Sequence, residues 1–345
     1  MTKNVGAGRK LESWIESFVS NTSNLDSPEI FRRWSAISAI ATTLEQKVYL
    51  VTSAPIFPHL YVFLVGHPGT GKSRSIKTAV RYVNELTEPH IAPKSLTFAS
   101  LVDCMVRHKR SFIQHPNPMV EYNSTLIAAD ELGSFIHKFD KEMADGLSEF
   151  YDPTPYGHER RGGEIRIKMK SPQINMLCGS TPSNLYDTLP DSAWGQGFTS
   201  RIIMVFSDER IIGDDFANVT RELSVDMIHD LKHIDGIRGE YKVTPEYVRL
   251  INLWRQQGEK PFPAHPKLIH YGSRRRVNLY KLSMISAIDR SDELLLTRED
   301  FNRAIGWLHE AEMYMEDIFK SSGGGTDSKA IEEIYHFVLT QCVGG

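Results

Sequence analysis

Long apolar runs are missing from this sequence. No stretch of its 345 residues approaches the roughly 18 consecutive apolar residues that a bilayer-crossing helix requires. Its first ten residues hold no apolar segment of the kind a secretory leader needs. Cysteine is scarce as well. Cys104, Cys178 and Cys342 are odd in number and far apart, which excludes a disulfide framework and a zinc cluster and fits a reducing, cytoplasmic setting. An excess of one charge is also lacking: 40 Lys and Arg stand against 43 Asp and Glu, a formal net charge of −3. No global basic field therefore advertises nucleic acid, and any such binding has to come from a local patch. The 13 histidines show no metal-ligand spacing, and no Ser-His-Asp or Cys-His arrangement stands out. What remains is a globular composition, 41% hydrophobic and 24% charged, with enough chain for a substantial core in one large domain or two.

Periodicity divides the chain. Leu11, Trp14, Ile15 and Phe18 fall on one helical stripe within residues 10–21, and Ile30, Trp34, Ile37, Ile40 and Leu44 on another from about Pro28 to Glu45. The period then changes. Residues 60–65, 95–98, 126–129, 174–178 and 202–206 are short apolar runs that read as buried strands, with helices between them. One helix runs from Lys72 to about Leu86, and another is capped by Ser100. This alternation predicts an α/β fold with a parallel five-stranded sheet. From about Asp214 the pattern is helical throughout, over roughly 220–234, 244–258, 273–290 and 298–320. The expected organisation is an N-terminal helical segment (1–50), an α/β core (51–213), a helical domain (214–320), and a Gly-rich linker with a terminal helix (321–345). That last amphipathic stretch, with Ile331, Ile334, Phe337 and Val338, cannot bury its own apolar face. It needs the body of the molecule, a neighbour or a further domain to cover it.

The strongest chemical signal follows the 60–65 run. Gly66-His-Pro-Gly-Thr-Gly-Lys72-Ser73 matches the phosphate-loop pattern G-x-x-x-x-G-K-S/T at every position, between a strand and a helix. Gly66, Pro68, Gly69, Thr70 and Gly71 would curl backbone N–H groups around phosphate oxygens at a helix N-terminus. Lys72 would reach the β- and γ-phosphates of ATP, and Ser73 would ligate Mg2+. A second strand ends in Asp130-Glu131, placed to hold the metal (Asp130) and to polarise the attacking water (Glu131). The acidic pair points to hydrolysis. Downstream, Ser180 and Thr181 close another strand, where a hydroxyl can sense the γ-phosphate or simply form a turn before Pro182. Gly197-Phe-Thr-Ser-Arg201 leads into the fifth strand, and Arg201 suits either insertion into a neighbour's γ-phosphate site or a surface ion pair. Arg274, Arg275 and Arg276 open a helix against its macrodipole, so they call for an external anion, a nucleotide phosphate before a nucleic-acid phosphate, or else form a solvated face.

In their order, the phosphate loop, the Asp-Glu strand, the polar strand end, the Gly-Phe-x-x-Arg segment and the helical region resemble an AAA+ ATPase. More narrowly, residues 30–320 resemble phage and prophage replication ATPases related to superfamily 3 and minichromosome-maintenance helicases. In the sensor-1 place many relatives have Asn where this chain has Thr181, and Arg276 is taken as the match to the sensor-2 arginine of the lid. The resemblance implies a hexameric or other ring, with Arg201 acting across each interface. It also implies a DNA-contacting hairpin just before the sensor-1 strand, on single-stranded or forked DNA. Residues 158–170 fit: Gly162-Gly163 suits a two-residue turn, and Ile165, Ile167 and Met169 alternate with Arg166, Lys168 and Lys170, with Arg160 and Arg161 nearby. Such cations would contact phosphates without regard to sequence. The expected function is an ATP-driven replicative DNA helicase working with other replication proteins and with no membrane. A protein-remodelling ATPase such as a helicase loader is the alternative, and an ATP-binding scaffold a weaker one.

Overall fold

The computed structural model describes residues 8–113, 119–137, 140–159, 166–189, 194, 197–212, 222–320 and 334. Two helices come first. In α1 (Trp14–Asn21) the Ser13 hydroxyl accepts from the Glu16 N–H, and Trp14, Ile15 and Phe18 are buried. α2 (Glu29–Leu44) is buried over most of its length. β1 (Val48–Val51) and β2 (Pro55–Ile56) precede β3 (Tyr61–Val65), in which every side chain is buried. Each large apolar side chain in such a strand contributes roughly 1.5–3 kcal/mol through the area it removes from water. β3 feeds the phosphate loop into α3 (Lys72–Val83). Then come α4 (Phe98–Arg107), β4 (Lys109–Phe112), β5 (Val120–Ala129), α5 (Leu132–Phe135), α6 (Lys141–Glu149), β6 (Tyr156–Glu159), β7 (Arg166–Met169), β8 (Pro172–Ser180), α7 (Pro182–Thr188) and β9 (Ile202–Phe206).

The central sheet has the order β4-β5-β8-β3-β9. β5, β8, β3 and β9 run parallel, while β4 pairs antiparallel with β5. The sheet is therefore mixed, not wholly parallel, and the strand expected at 95–98 does not form. Pro93 removes a ladder donor just ahead of it, and Thr97 instead caps α4 by accepting from the Ser100 N–H. That stretch of chain reaches the sheet only through an isolated bridge, Ile91 to Leu126, and β4 takes the edge.

The remaining elements are α8 (Val225–Asp235), β10 (Gly239–Val243), α9 (Pro245–Gln256), α10 (Ile269–Gly272), α11 (Arg275–Arg290), β11 (Leu295–Leu296), α12 (Arg298–Met313) and α13 (Asp317–Lys320). The expectation of an all-helical region from 214 is corrected by a second sheet, β11-β10-β1-β2. There β1 pairs parallel with β10, Val48 opposite Gly239. These strands are short and half-exposed, so they lack the apolar run that marks a buried strand. The pairing joins the N-terminal segment to the C-terminal region. The same join is made by Asp289 on α11, which accepts from the Ser13 hydroxyl (2.6 Å) and the Ile15 N–H (2.9 Å). One connected apolar core runs from Trp14 to Phe319. Among the described residues no helix is long and apolar enough to cross a membrane.

Candidate functional site

The phosphate loop is shaped by contacts that leave no room for side chains. Gly69 and Gly71 have φ of +85° and +78°, a region open to glycine at little cost. A Cβ on Gly71 would lie 1.8 Å from the Asp26 carbonyl oxygen, and one on Gly66 would lie 2.4 Å from that of Ser207. The Gly66 N–H donates to the Ser180 carbonyl (3.1 Å), tying the loop to the end of β8. Within this turn Lys72 is buried, and its ammonium donates to the Gly66 carbonyl (2.8 Å), the His67 carbonyl (3.0 Å) and the Thr70 hydroxyl (3.3 Å). Burial lowers its pKa, and Glu131 opposes that shift.

The loop opens onto a cavity of about 610 Å³ whose walls include Pro68, Gly69, Gly71, Lys72, Ser73 and Glu131. The other walls, Asp26, Arg74, Arg210, Ile211 and Ile212, had no signal in the motif. Asp26 comes from the segment before α2 and pairs with Arg74 on α3, while Ser27 shares a hydroxyl hydrogen bond with Ser75 (2.7 Å). Arg210 and Ile212 come from the segment after β9, with Ile212 largely exposed.

Glu131 stands at the end of β5, and burial raises its pKa, partly offset by Lys72 and by a hydrogen bond from Asn184. The Asn184 amide nitrogen donates to Glu131 Oε2 (3.2 Å), and the Thr188 hydroxyl donates to Asn184 Oδ1 (2.9 Å), which fixes the amide orientation. Asn184 carries no signal of its own in the sequence, where the hydroxyls of Ser180 and Thr181 stand at the strand end. Thr181 Oγ1 accepts from the Asn184 N–H (3.1 Å) as the N-cap of α7, so its hydroxyl is occupied in the turn. Asp130, expected at the metal, has its carboxylate between Lys77 (3.3 Å) and Lys94 (3.4 Å) and is not a wall of the cavity.

Arg201 lies at the other end of the sheet. Ile202 pairs with Tyr61, the first residue of β3, whereas the phosphate loop follows Val65, the last. The side chain donates to the Gly197 carbonyl (2.5 Å), pairs with Asp152 (3.2 Å) and stacks on Tyr151 (5.4 Å). The three arginines of α11 divide by role. Arg275 is fully buried against Glu312, with two contacts of 2.7 Å, so it is structural. Arg274 reaches Asp152 (3.6 Å) beside Arg201. Arg276, expected at the nucleotide, lines a different cavity together with His59 and Lys281. The reason is topological: α11 begins beside Tyr151 and the start of β3, away from the loop that follows β3.

The basic hairpin forms in part. β6 and β7 pair antiparallel, with Ile167 and Met169 buried and Lys168 and Lys170 exposed, as the alternation predicts. Lys170 is not a free cation, because it shares Glu121 with Lys109 (2.6 Å), and these two hold that carboxyl down at about 2. Arg160, Arg161, Ile165 and the Gly162-Gly163 turn lie outside the described residues, as does the side chain of Arg166.

The chain is thus an α/β protein in which a glycine-rich loop, a buried lysine and a strand-end glutamate face one polar cavity. No protein-family model matches it, and no curated protein matches its sequence.

Proposed function

We propose that the chain is an ATP-hydrolysing P-loop enzyme of the AAA+ type. The observation that carries this is the convergence of Lys72, Ser73 and Glu131 on one cavity at the N-terminus of α3. Left-handed Gly69 and Gly71 curl the loop around the cavity at the N-terminus of α3, where first-turn N–H groups have no intrahelical partner, and the helix end adds positive potential. Lys72 exchanges its loop carbonyls for the β- and γ-phosphate oxygens. Ser73 and Asp130 would hold Mg2+, Asp130 after release from Lys77 and Lys94. Mg2+ is bound through one or two carboxylates with substrate phosphates and water, so Asp130, the Ser73 hydroxyl and the phosphates of ATP would supply its ligands. The bound ion supplies charge neutralisation as the γ-phosphoryl group transfers.

Glu131 accepts a proton from a water whose oxygen attacks the γ-phosphorus, while the bond to the β–γ bridging oxygen breaks. Raised by burial, Glu131 is a stronger base than an exposed glutamate, and Asn184 orients it. Arg201, remote from its own loop, would serve the site of an adjacent copy, which favours a ring. Ile212, apolar and exposed beside the loop, offers a surface for the base. The exposed Lys168 on the β6–β7 hairpin favours a DNA-stimulated motor, a replicative helicase, over a protein-remodelling ATPase.

The test is ATP hydrolysis with and without single-stranded DNA, in the wild-type chain and in a Lys168→Ala/Lys170→Ala variant. A motor on DNA shows stimulation that the variant loses, and strand unwinding follows. Hydrolysis indifferent to DNA and to the hairpin removes the helicase reading and leaves protein remodelling. A wild-type chain that does not hydrolyse ATP, or does so undiminished in Lys72→Ala, removes the ATPase reading.

A further inference from the structure

A second cavity, of about 230 Å³, lies between the 52–57 loop, residues 151–153 and the first turns of α11, and shares no wall with the phosphate-loop cavity. Its charges do not balance. Arg274, Arg276 and Lys281 line it against one carboxylate, Asp152, which Arg201 and Arg274 both engage (3.2 and 3.6 Å).

Lys281 carries the argument. It is only 2% exposed, and its ammonium has three N–H donors to satisfy. Among the described residues its near neighbours are His59 Nε2 (3.0 Å) and the face of the Tyr151 ring (3.8 Å). His59 Nε2 also lies 2.5 Å from the Tyr151 carbonyl oxygen, a distance that requires an N–H on that nitrogen. A nitrogen that donates to Tyr151 has no lone pair left for Lys281. His59 Nδ1, which then holds the lone pair, is buried and has no partner. Among the described residues the Lys281 nitrogen thus lacks an oxygen acceptor, and Lys281 lines the cavity. Burial pushes Lys281 well below the ordinary lysine range, so its charged form is favoured only with an anion opposite it, and an oxyanion in the cavity supplies that partner.

We propose that this cavity is a second anion site that takes a phosphate group, with Lys281 at its base and Arg274 and Arg276 at its mouth. The guanidinium groups suit bidentate contact with a phosphate, and three cations suit a doubly charged ligand better than a carboxylate. The volume falls below the roughly 300–1,000 Å³ of sites that enclose a whole small molecule, so a phosphoryl group enters while any attached nucleoside stays outside. As Arg274 turns to the ligand, Asp152 is left to Arg201, which couples the site to that arginine. The phosphate comes either from solution or from a nucleotide held by an adjacent copy; only the second source rests on the ATPase reading above.

Pyrophosphate titrated calorimetrically into the Lys72→Ala chain tests the site with the phosphate-loop lysine removed. Binding of one equivalent is expected, weakened at least tenfold by Arg274→Ala/Arg276→Ala and by Lys281→Met, and it assigns the ligand to solution. The arginine variant lies at the mouth and keeps the test decisive if Lys281→Met does not fold, as its melting curve will tell. If the Lys72→Ala chain takes no pyrophosphate, a non-hydrolysable ATP analogue is titrated into the assembled wild-type protein. At least tenfold weaker analogue binding in the same two variants assigns the phosphate to the neighbour's nucleotide. Pyrophosphate binding indifferent to both variants overturns the proposal, as does no pyrophosphate binding together with unchanged analogue affinity. Failure of the wild type to hydrolyse ATP would remove the ATPase reading and leave the pyrophosphate result standing.

Discussion

Glu131 and Asn184 are the pair on which the proposed chemistry turns. The carboxyl is pushed up by burial and held back by Lys72 and by the Asn184 amide. Removing the amide in Asn184→Ala takes away an interaction that favours the charged form, so the pKa of Glu131 rises further. The base must be ionised to work, so the acid limb of the pH–rate profile is expected to move to higher pH, with activity at pH 7 down roughly tenfold. An acid limb that stays where it is in steady-state ATPase assays would show that Asn184 does not tune this group. At this scale Gly66–Ser73 and Glu131 were legible because each stands in a contiguous run, whereas the turn of Asp130 toward Lys77 and Lys94 was not. Asn184 was not, because its role depends on the rotation of α7 and on Thr188, one turn further along.

A stacked histidine pair locks one edge of the central sheet. His90 and His108 have ring centroids 4.5 Å apart and nearly parallel planes, and His108 bonds the Thr125 hydroxyl on β5 (2.9 Å). Burial lowers both to about 4, with Arg110 adding to the effect on each and His90 to that on His108. The folded state therefore prefers both rings neutral. This contribution is fully present above the ordinary histidine pKa near 6.5 and is lost as pH falls through the interval from about 6.5 to 4. The rings are half-exposed, which discounts the effect to on the order of 1–2 kcal/mol for the pair, a few degrees of melting midpoint. Melting curves by circular dichroism should show that fall between pH 7 and pH 5, and a His90→Gln/His108→Gln chain should show less of it. An equal fall in both chains would exclude the pair as its cause. The strand expected at 95–98 would have occupied this edge. Its apolar residues were visible, but Pro93 and the Thr97 cap left room only for the bridge at Ile91.

Across the whole molecule, the sheet register separates Arg201 from the phosphate loop of its own chain. Five residues of β3 at about 3.3 Å each put roughly 16 Å between the ends of the strand. An Arg201→Ala protomer keeps an intact loop, and a Lys72→Ala protomer keeps an intact arginine. Each alone is expected to lose ATPase activity by 10² or more, and mixing the two should restore part of it at interfaces that combine the intact halves. A mixture as inactive as its parts, in protein shown to co-assemble, would place Arg201 outside the reaction.

The Gly66–Ser73 turn, the acidic strand end, the α/β alternation and the two-faced 167–170 strand can be read from the residues alone, because each is written in neighbouring positions and one local period. Folding alone sets the Asp26 carbonyl over Gly71, pairs β1 with β10 to join the N-terminal segment to residues 239–243, and puts Arg276 and Lys281 on a cavity apart from the Gly66–Ser73 loop. These contacts join residues tens to hundreds of positions apart, and no local period encodes where such residues meet; packing of the shared core does.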